Sequence, residues 1–362
     1  MNNTATIDQH LQNIIRLSAA IGRPVRLMEV CGTHTMAAFR TGLRSMLPST
    51  VELLSGPGCP VCVTNAAYLD KAIALARMGA TITSFGDMIR VPSTESSLNH
   101  VRAQGADVRI VYSPTDALHL ARKHPETKVV FLGIGFETTT PTIAWTIKEA
   151  RDKDINNFSV LCGHKTVPEA MSVLLQDDDV RIDGFLCPGH VSIMIGASAY
   201  QPLCTEHHIP CVVTGFEARD MSQGIEMLMQ QISQEQSEVQ IQYSRSVQQQ
   251  GNPAAKAIID EVFEKCHADW RGIGTIPNSG LKIRASFAQH DADHVFGPID
   301  IPVSRPPAGC KCGDVLRGII NPTQCKLFRT VCTPSNPVGP CMVSSEGTCA
   351  AYHKYAKRKN QT

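Results

Sequence analysis

Cysteine and histidine stand together where a predicted strand passes into a helix. The motif Cys31-Gly32-Thr33-His34 follows a predicted strand at residues 25–30 and precedes a helical stretch. At the start of a helix, free backbone N–H groups and the helix dipole favour a thiolate, which can act as a nucleophile or bind a soft metal ion. An isolated cysteine is more commonly a buried apolar residue. Because His34 lies three residues away, we interpret Cys31 and His34 as functional.

A Cys-x-x-Cys pair stands at a second strand-to-helix turn, within Gly56-Pro57-Gly58-Cys59-Pro60-Val61-Cys62. Paired thiols in this setting carry out thiol-disulfide exchange. The pair could instead be half of a zinc site, but the sequence contains no second Cys-x-x-Cys to complete a zinc ribbon. We therefore predict redox chemistry or shared metal handling at Cys59 and Cys62.

Six of the 14 cysteines are concentrated near the C-terminus, at Cys310, Cys312, Cys325, Cys332, Cys341 and Cys349. Proline and glycine are frequent in the same segment, so it cannot easily build a hydrophobic core and needs another organiser, such as a metal held by thiolates. The spacing matches neither the knuckles of structural zinc nor the cysteine run of bacterial ferredoxins. Six thiols exceed the four that one cluster needs, which leaves two for a redox disulfide.

Charge and composition exclude several classes of function. With 34 basic and 33 acidic side chains the net charge is +1, which predicts neither nucleic acid nor a membrane surface as a partner. We find no export signal and no apolar stretch near the roughly 18 residues of a membrane span. We therefore expect a cytoplasmic protein, in which clustered cysteines bind metal or exchange electrons. Nucleotide-binding glycine motifs are also missing.

The chain resembles itself at one constant offset, which aligns Cys31-Gly32 with Cys162-Gly163, Pro57-Gly58 with Pro188-Gly189, and Val108 with Val239. Each repeat alternates short strands, glycine turns and helices, which predicts doubly wound parallel sheets. Ligands bind such sheets beyond the carboxyl ends of the strands, where these motifs lie. If the repeats face each other, one cleft gathers Cys31, His34, Cys59, Cys62, His164 and His190.

The predicted fold is therefore α/β, with two similar parallel-sheet domains related by internal duplication and a cysteine-rich third domain. The predicted boundaries are an N-terminal helix in residues 1–24, α/β domains in 25–125 and 126–255, and the cysteine domain in 256–362. A helix is expected from about Pro253 through Cys266. Cys187, Cys204, Cys211 and Cys266 have no ligand spacing and are interpreted as core residues.

Five motifs together resemble the HypD family of hydrogenase maturation proteins across nearly the whole chain. They are Cys31-Gly-Thr-His-Thr, Gly-Pro-Gly-Cys59-Pro-Val-Cys62, Gly135-Phe-Glu-Thr-Thr, Pro188-Gly-His-Val-Ser and Cys341-Met-Val-Ser-Ser-Glu-Gly-Thr-Cys349. The resemblance implies a cytoplasmic assembly factor for nickel-iron hydrogenase. With the small partner HypC it would hold an iron while cyanide, delivered by HypE, and carbon monoxide are attached. It also implies two α/β domains and a third domain with a 4Fe-4S cluster.

Residue roles follow from the same resemblance. Cys31 would supply the thiolate to the iron, since soft sulfur suits a metal that will carry strong-field ligands. His34 would orient or tune that site. Cys59 and Cys62 would cycle between dithiol and disulfide and pass electrons between the cluster and the cleft.

The cysteine segment further resembles ferredoxin-thioredoxin reductase, in which the first cysteine of a Cys-x-Cys binds iron and the second joins a neighbouring disulfide. By this resemblance the cluster ligands, and with Cys31 the metal-binding residues, would be Cys310, Cys325, Cys332 and Cys349. The redox pair would be Cys312 with Cys341.

Two other classes of function are considered. One is an iron-sulfur thiol-disulfide oxidoreductase that acts on protein disulfides, which the Cys-x-x-Cys and the six-thiol segment alone would support. The other is a zinc-stabilised binding scaffold without chemistry. The favoured interpretation is an assembly scaffold with redox activity.

Overall fold

The structure is a computed structural model that describes residues 3–305 and 307–356. The strands are β1 (Val25–Glu29), β2 (Val51–Ser55), β3 (Thr81–Ser84), β4 (Val108–Ile110), β5 (Val129–Gly133), β6 (Phe158–Cys162), β7 (Gly184–Pro188), β8 (Cys211–Thr214), β9 (Val239–Ile241), β10 (Phe263–Trp270) and β11 (Gly274–Ile283). The α-helices are α1 (Asn3–Ile21), α2 (Gly32–Arg40), α3 (Leu43–Met46), α4 (Pro60–Val63), α5 (Ala66–Arg77), α6 (Leu98–Ala103), α7 (Pro114–Lys123), α8 (Thr140–Asp152), α9 (Val167–Leu174), α10 (Gly189–Ile195), α11 (Gln201–Thr205), α12 (Ala218–Ser233), α13 (Pro253–Val262), α14 (Ala292–Phe296), α15 (Cys312–Leu316) and α16 (Thr348–Tyr355). Short 3-10 helices span Met88–Arg90, Ala197–Tyr200, Ala285–His290, Pro322–Gln324 and Pro340–Met342.

Two parallel sheets form the body of the protein. The five-stranded sheet has the order β2-β1-β7-β8-β9 and the four-stranded sheet has the order β4-β3-β5-β6. We call them, with the helices that cover them, the first lobe and the second lobe. Every residue of β5 and of β7 is buried, as expected when helices cover both faces of a parallel sheet. The predicted α/β class with parallel sheets is confirmed.

The lobes do not follow the predicted boundaries at residues 25–125 and 126–255. Strands β1 and β2 pair in the first lobe with β7, β8 and β9, while β3 to β6 form the second lobe. The chain therefore leaves the first lobe after β2 and returns to it at β7. The order of the strands along the sequence does not reveal this return to the first lobe, because the packing of the connecting helices determines which strands are neighbours in a sheet. In the alignment of the predicted repeats, β1 to β4 correspond in order to β6 to β9, but the internal duplication stays a prediction.

The predicted N-terminal helix is present as α1 and packs against α12 of the first lobe. Ile14 is fully buried in the shared core, and Asn13 donates to the carboxylate of Glu226 over 2.9 Å. His10 contacts the same carboxylate at 2.5 Å. The helix thus covers one face of the sheet that carries Cys31.

The predicted helix through Cys266 is wrong beyond Val262. Residues from Phe263 onward form β10, which pairs antiparallel with β11. Partly buried and exposed residues alternate from Glu264 to Asp269, between the buried Phe263 and Trp270, and this period of two belongs to a strand rather than a helix. The hairpin of β10 and β11 joins both lobes, since Trp270 pairs with Thr64 and Gly280 pairs with Lys165.

The C-terminal segment, residues 307–356, contains short helices and turns and lies against both lobes. It reaches the first lobe where the Arg44 guanidinium lies 3.5 Å from the Tyr352 hydroxyl. It reaches the second lobe where Arg90 donates to the main-chain oxygen of Val343 over 3.3 Å. Residues 357–362 of the predicted cysteine domain lie outside the described residues. The segment therefore closes the space above the ends of β1 and β2.

Candidate functional site

The Cys31 and Cys59 motifs pack directly against each other at the carboxyl ends of β1 and β2. Gly32 donates its main-chain N–H to the oxygen of Gly58 over 3.2 Å. A Cβ atom on Gly58 would lie 2.3 Å from the Cys31 nitrogen, so only glycine permits this approach. Parallel neighbours end at the same sheet edge, and this explains why the two motifs meet.

The thiol of Cys31 is not the activated thiolate that the sequence predicts. Cys31 stands at the N-cap of α2 and is half-buried. Burial of the thiol, with the carboxylate of Glu346 nearby, raises its pKa to about 11. The N–H groups of Thr33 and His34 act in the predicted direction but are outweighed. The thiol therefore stays protonated at neutral pH until a cation displaces the proton.

His34 is fully buried and neutral. Its Nε2 lies 3.0 Å from the main-chain oxygen of Gly215 and 3.3 Å from that of Thr214. Burial lowers its pKa to about 4. With the proton on Nε2, the lone pair of Nδ1 has no hydrogen-bond partner among the described residues. The imidazole is thus held in one tautomer with one free acceptor.

An aromatic ring links His34 to the second histidine of the predicted cleft. The ring of Phe216 lies 4.7 Å from that of His34 and 4.0 Å from that of His190, centre to centre. His190 follows β7 and Phe216 follows β8, and these two strands continue the first-lobe sheet beyond β1. His190 therefore joins the Cys31 region, as the sequence predicts.

His164 does not join that region. It lies after β6 with Cys162, whose sulfur is 3.2 Å from His164 Nδ1, and both line a separate cavity with Cys266 and Lys165. The predicted cleft included His164 because the two repeats were expected to face each other. The actual topology turns the end of β6 toward the β10–β11 hairpin instead. Cys266, predicted to be a core residue, is half-buried in this cavity.

The thiols of the Cys-x-x-Cys pair meet those of the C-terminal segment. Cys59 and Cys62 are 3% and 0% exposed, and the Cys62 thiol contacts the thiols of both Cys59 and Cys341. Cys341 in turn contacts Cys312 and Cys349. A continuous path of sulfur contacts therefore runs from Cys59 into the C-terminal segment.

Five of the six C-terminal cysteines line one small cavity, namely Cys310, Cys312, Cys325, Cys332 and Cys349. Leu327, Phe328 and Met342 supply apolar walls. A Cβ atom on Gly339 would lie 2.7 Å from the sulfur of Cys310, so the glycine keeps the space beside that sulfur open. Thiolates around an apolar cavity are the donor set of an iron-sulfur cluster, and the residues present fit such a group.

Cys341 is the one C-terminal cysteine that does not line this cavity. It is fully buried, between Cys62 on one side of the path and Cys312 on the other. Within residues 3–305 and 307–356, no three His, Cys, Asp or Glu side chains are arranged to hold a single metal ion.

Glu346 is a site residue that sequence reasoning missed. The hydroxyl of Thr33 donates to Glu346 Oε1 over 2.8 Å, and a Cβ atom on Gly32 would lie 2.4 Å from the main-chain oxygen of Glu346. Glu346 is the only charged residue between Cys341 and Cys349, a signal that could have identified it. Its carboxylate gives the Cys31 turn a negative neighbour.

A buried ion pair beneath the site was also missed. Glu29, at the end of β1, is fully buried and forms a salt bridge with Arg44. Ser55, at the end of β2, donates to the same carboxylate over 3.0 Å. The guanidinium of Arg44 also lies over the ring of Tyr352 at 5.7 Å. This network ties the two strand ends to α16.

Among the described residues, no helix combines the length and apolar character needed to cross a membrane.

A model of the HypD family, described as the hydrogenase formation hypA family, matches residues 5–356. A protein of Cupriavidus necator named hydrogenase maturation factor HypD is 45% identical, over 97% of this chain and 95% of its own. Proteins with the same name from Rhodobacter capsulatus and Escherichia coli are 45% and 44% identical. The matches cover 95% and 98% of this chain and 94% and 95% of theirs.

Proposed function

This chain belongs to the HypD family of hydrogenase maturation factors, and we propose that it is the scaffold on which the iron of a nickel-iron hydrogenase receives cyanide and carbon monoxide. The observation that carries the proposal is the meeting of three segments at one sheet edge. The Cys31 turn contacts Gly58 on one side and Glu346 on the other. A metal ligand, a thiol pair and a cysteine-lined cavity are thereby brought together.

The iron is the cargo, and Cys31 is its protein ligand in this proposal. The high pKa of Cys31 means that iron binding must release the thiol proton. The nearby carboxylate of Glu346 disfavours that release in the free thiol but attracts the incoming cation. His34 positions the turn through its contacts with the main-chain oxygens of Thr214 and Gly215 and leaves Nδ1 free. The attraction between Glu346 and the cation favours the iron-bound state over the free thiol.

Cys59 and Cys62 would cycle between dithiol and disulfide. The two electrons and two protons that they lose when their disulfide closes would be taken up by a Cys312–Cys341 disulfide, which opens to two thiols. The contact between Cys62 and Cys341 supports exchange with the proposed redox pair Cys312–Cys341. Cys310, Cys325, Cys332 and Cys349 would hold a 4Fe-4S cluster, which stores and transfers single electrons when bound. Two of these cysteines contact the proposed pair directly, since the Cys349 thiol contacts those of Cys312 and Cys341 and the Cys310 thiol contacts that of Cys312.

The partners in this proposal are a HypC-type small protein, which would share the iron, and a HypE-type cyanide donor. Both would act in the cytoplasm. The half-buried position of Cys31 supports the proposal, because a partner's ligand can approach the sulfur while the protein shields the rest of the turn.

A second candidate function is an iron-sulfur oxidoreductase that reduces protein disulfides. The continuous path of thiol contacts favours it, since that path would serve either role. The two functions differ in the need for Cys31, which a disulfide reductase would not require.

The maturation role is tested by deleting the gene in the organism that encodes this chain. We expect loss of nickel-iron hydrogenase activity and accumulation of iron-deficient precursor, with both defects reversed by the wild-type gene. Normal hydrogenase activity in the deletion strain would contradict the role. Restoration by a Cys31→Ala gene would favour the oxidoreductase instead.

A separate prediction concerns the Cys-x-x-Cys pair. Because Cys62 contacts Cys59, we expect a reversible disulfide between them, visible as loss of alkylation at both positions after mild oxidation and recovery after reduction. Mass mapping of the labelled peptides measures it. Cys266, which is half-buried in a separate cavity, serves as the control and should label equally in both states. Equal labelling of Cys59 and Cys62 before and after oxidation would count against the disulfide.

A further inference from the structure

Arg271 lies between the two cysteine-bearing regions. Its main-chain N–H donates to the oxygen of Val63, and its Nε donates to the oxygen of Thr64, both over 2.8 Å. These carbonyls directly follow Cys62. The next residue, Gly272, approaches Gly313 so closely that a Cβ atom would lie 2.2 Å from the Gly313 Cα. The tip of the hairpin is thus wedged between the Cys62 turn and the residue after Cys312.

The guanidinium of Arg271 has no acidic partner in the described part of the chain. Its Nη2 is shielded from solvent and makes no hydrogen bond there. Two other half-buried arginines differ, because Arg44 pairs with Glu29 and Arg317 pairs with Asp177 and Asp314. Arg329 has no acidic partner among the described residues either, but its Nη2 donates to three main-chain oxygens. An arginine is charged at every accessible pH. A buried positive charge without a counter-charge is unfavourable, so a partner is to be expected.

Cysteine sulfurs are the groups that could supply the missing negative charge. The cysteines whose ionised sulfurs would act on the Arg271 guanidinium are Cys312, Cys341, Cys310 and Cys62. As neutral thiols these residues offer little compensation. Cys310 is also a proposed cluster ligand, and bound to iron with Cys325, Cys332 and Cys349 it would form an anionic group beside the guanidinium, because the charge of four thiolates outweighs that of the inorganic core.

We propose that Arg271 is the counter-charge of the C-terminal cysteine centre and acts as a positioning residue for the cluster assigned to it under the proposed function. In the cluster-free chain the guanidinium is uncompensated and destabilises the fold. In the loaded chain it stabilises the anionic group. It also favours the reduced state, which carries one more negative charge, and so raises the reduction potential.

Opposite effects in the two states provide the test. Thermal unfolding of the cluster-free protein is compared for wild type, Arg271→Met and Arg271→Lys. We expect the melting temperature of Arg271→Met to equal or exceed that of wild type, because the buried charge is gone, while Arg271→Lys does not rise. Arg284→Met is the matched control, since Arg284 also donates from Nε to a main-chain oxygen, that of Asp260 at 2.9 Å, but has Glu264 as its acidic partner.

The second measurement uses protein reconstituted anaerobically with iron and sulfide. In Arg271→Met we expect faster loss of iron to a chelator and a shift of the reduction equilibrium by about tenfold, or about 59 mV more negative for a one-electron couple. Arg271→Lys should restore most of the potential. A lower melting temperature, or failure to fold, of cluster-free Arg271→Met would assign Arg271 a structural role and overturn the proposal.

An unchanged potential in Arg271→Met with normal iron content would overturn it too. If wild-type protein takes up no cluster, the cofactor of the proposed function is refuted. The melting temperatures of the cluster-free variants then still decide whether Arg271 carries an uncompensated charge.

Discussion

Replacing Cys31 by alanine is expected to abolish hydrogenase maturation while leaving the fold and the brown iron-sulfur colour intact. The Cys31 turn packs through its main chain, with Gly58 against the Cys31 nitrogen, and the thiol interacts only with the neighbouring Thr33 and His34 and with Glu346, so removal of the sulfur disturbs little of the packing. The expected loss is at least about 100-fold, since changes beside a metal ligand already reach that size. Hydrogenase activity in the deletion strain measures it.

Cys162→Ala provides the matched control for this variant. Cys162 aligns with Cys31 in the predicted internal repeat and ends β6 as Cys31 follows β1, but it lies in a different cavity. Maturation should therefore persist. Equal loss of activity in both variants, or unfolding of Cys31→Ala, would show that Cys31 serves the fold rather than the iron.

The six C-terminal cysteines are expected to divide into two classes when each is replaced by alanine. Variants of Cys310, Cys325, Cys332 and Cys349 should lose most of their iron and become less soluble, because metal binding contributes to the free energy of folding. Cys341→Ala and Cys312→Ala should keep the cluster and fail in maturation. Iron and sulfide content of the anaerobically purified variants measures the division.

Cys312 decides between the alternatives within the Cys-x-Cys pair. Its side chain lines the cysteine cavity, as does that of Cys310, yet it also contacts Cys341. A cluster lost in Cys312→Ala and kept in Cys310→Ala would reverse the two roles. Cys341 does not line the cavity and is proposed to pair with Cys312. A cluster lost in Cys341→Ala would therefore exclude that pair.

Local features of the site could be predicted from sequence because they follow from strand-end geometry. The sequence predicts the Cys31 and Cys59 motifs at strand-to-helix turns, and both lie there, at the ends of the neighbouring strands β1 and β2. In a parallel sheet the carboxyl ends share one edge, so short-range patterns suffice to locate the site.

Long-range features could not be predicted in the same way. Strands β1 and β7 are neighbours in the sheet, but the whole second lobe lies between them along the chain. No local sequence pattern encodes such a distant partner. The thiolate prediction for Cys31 failed because burial and Glu346 outweigh the helix start, and both depend on the C-terminal segment. The sequence around Arg271 contains no pattern that predicts its role, apart from its position directly after Trp270.

The most direct test of the central claim is an infrared spectrum of this protein purified with its small partner from anaerobic cells. The account predicts absorption bands of iron-bound cyanide and carbon monoxide in the wild-type complex and their absence in the Cys31→Ala complex. A wild-type complex without these bands, or a Cys31→Ala complex that retains them, would contradict the assignment of Cys31 as the ligand of the iron.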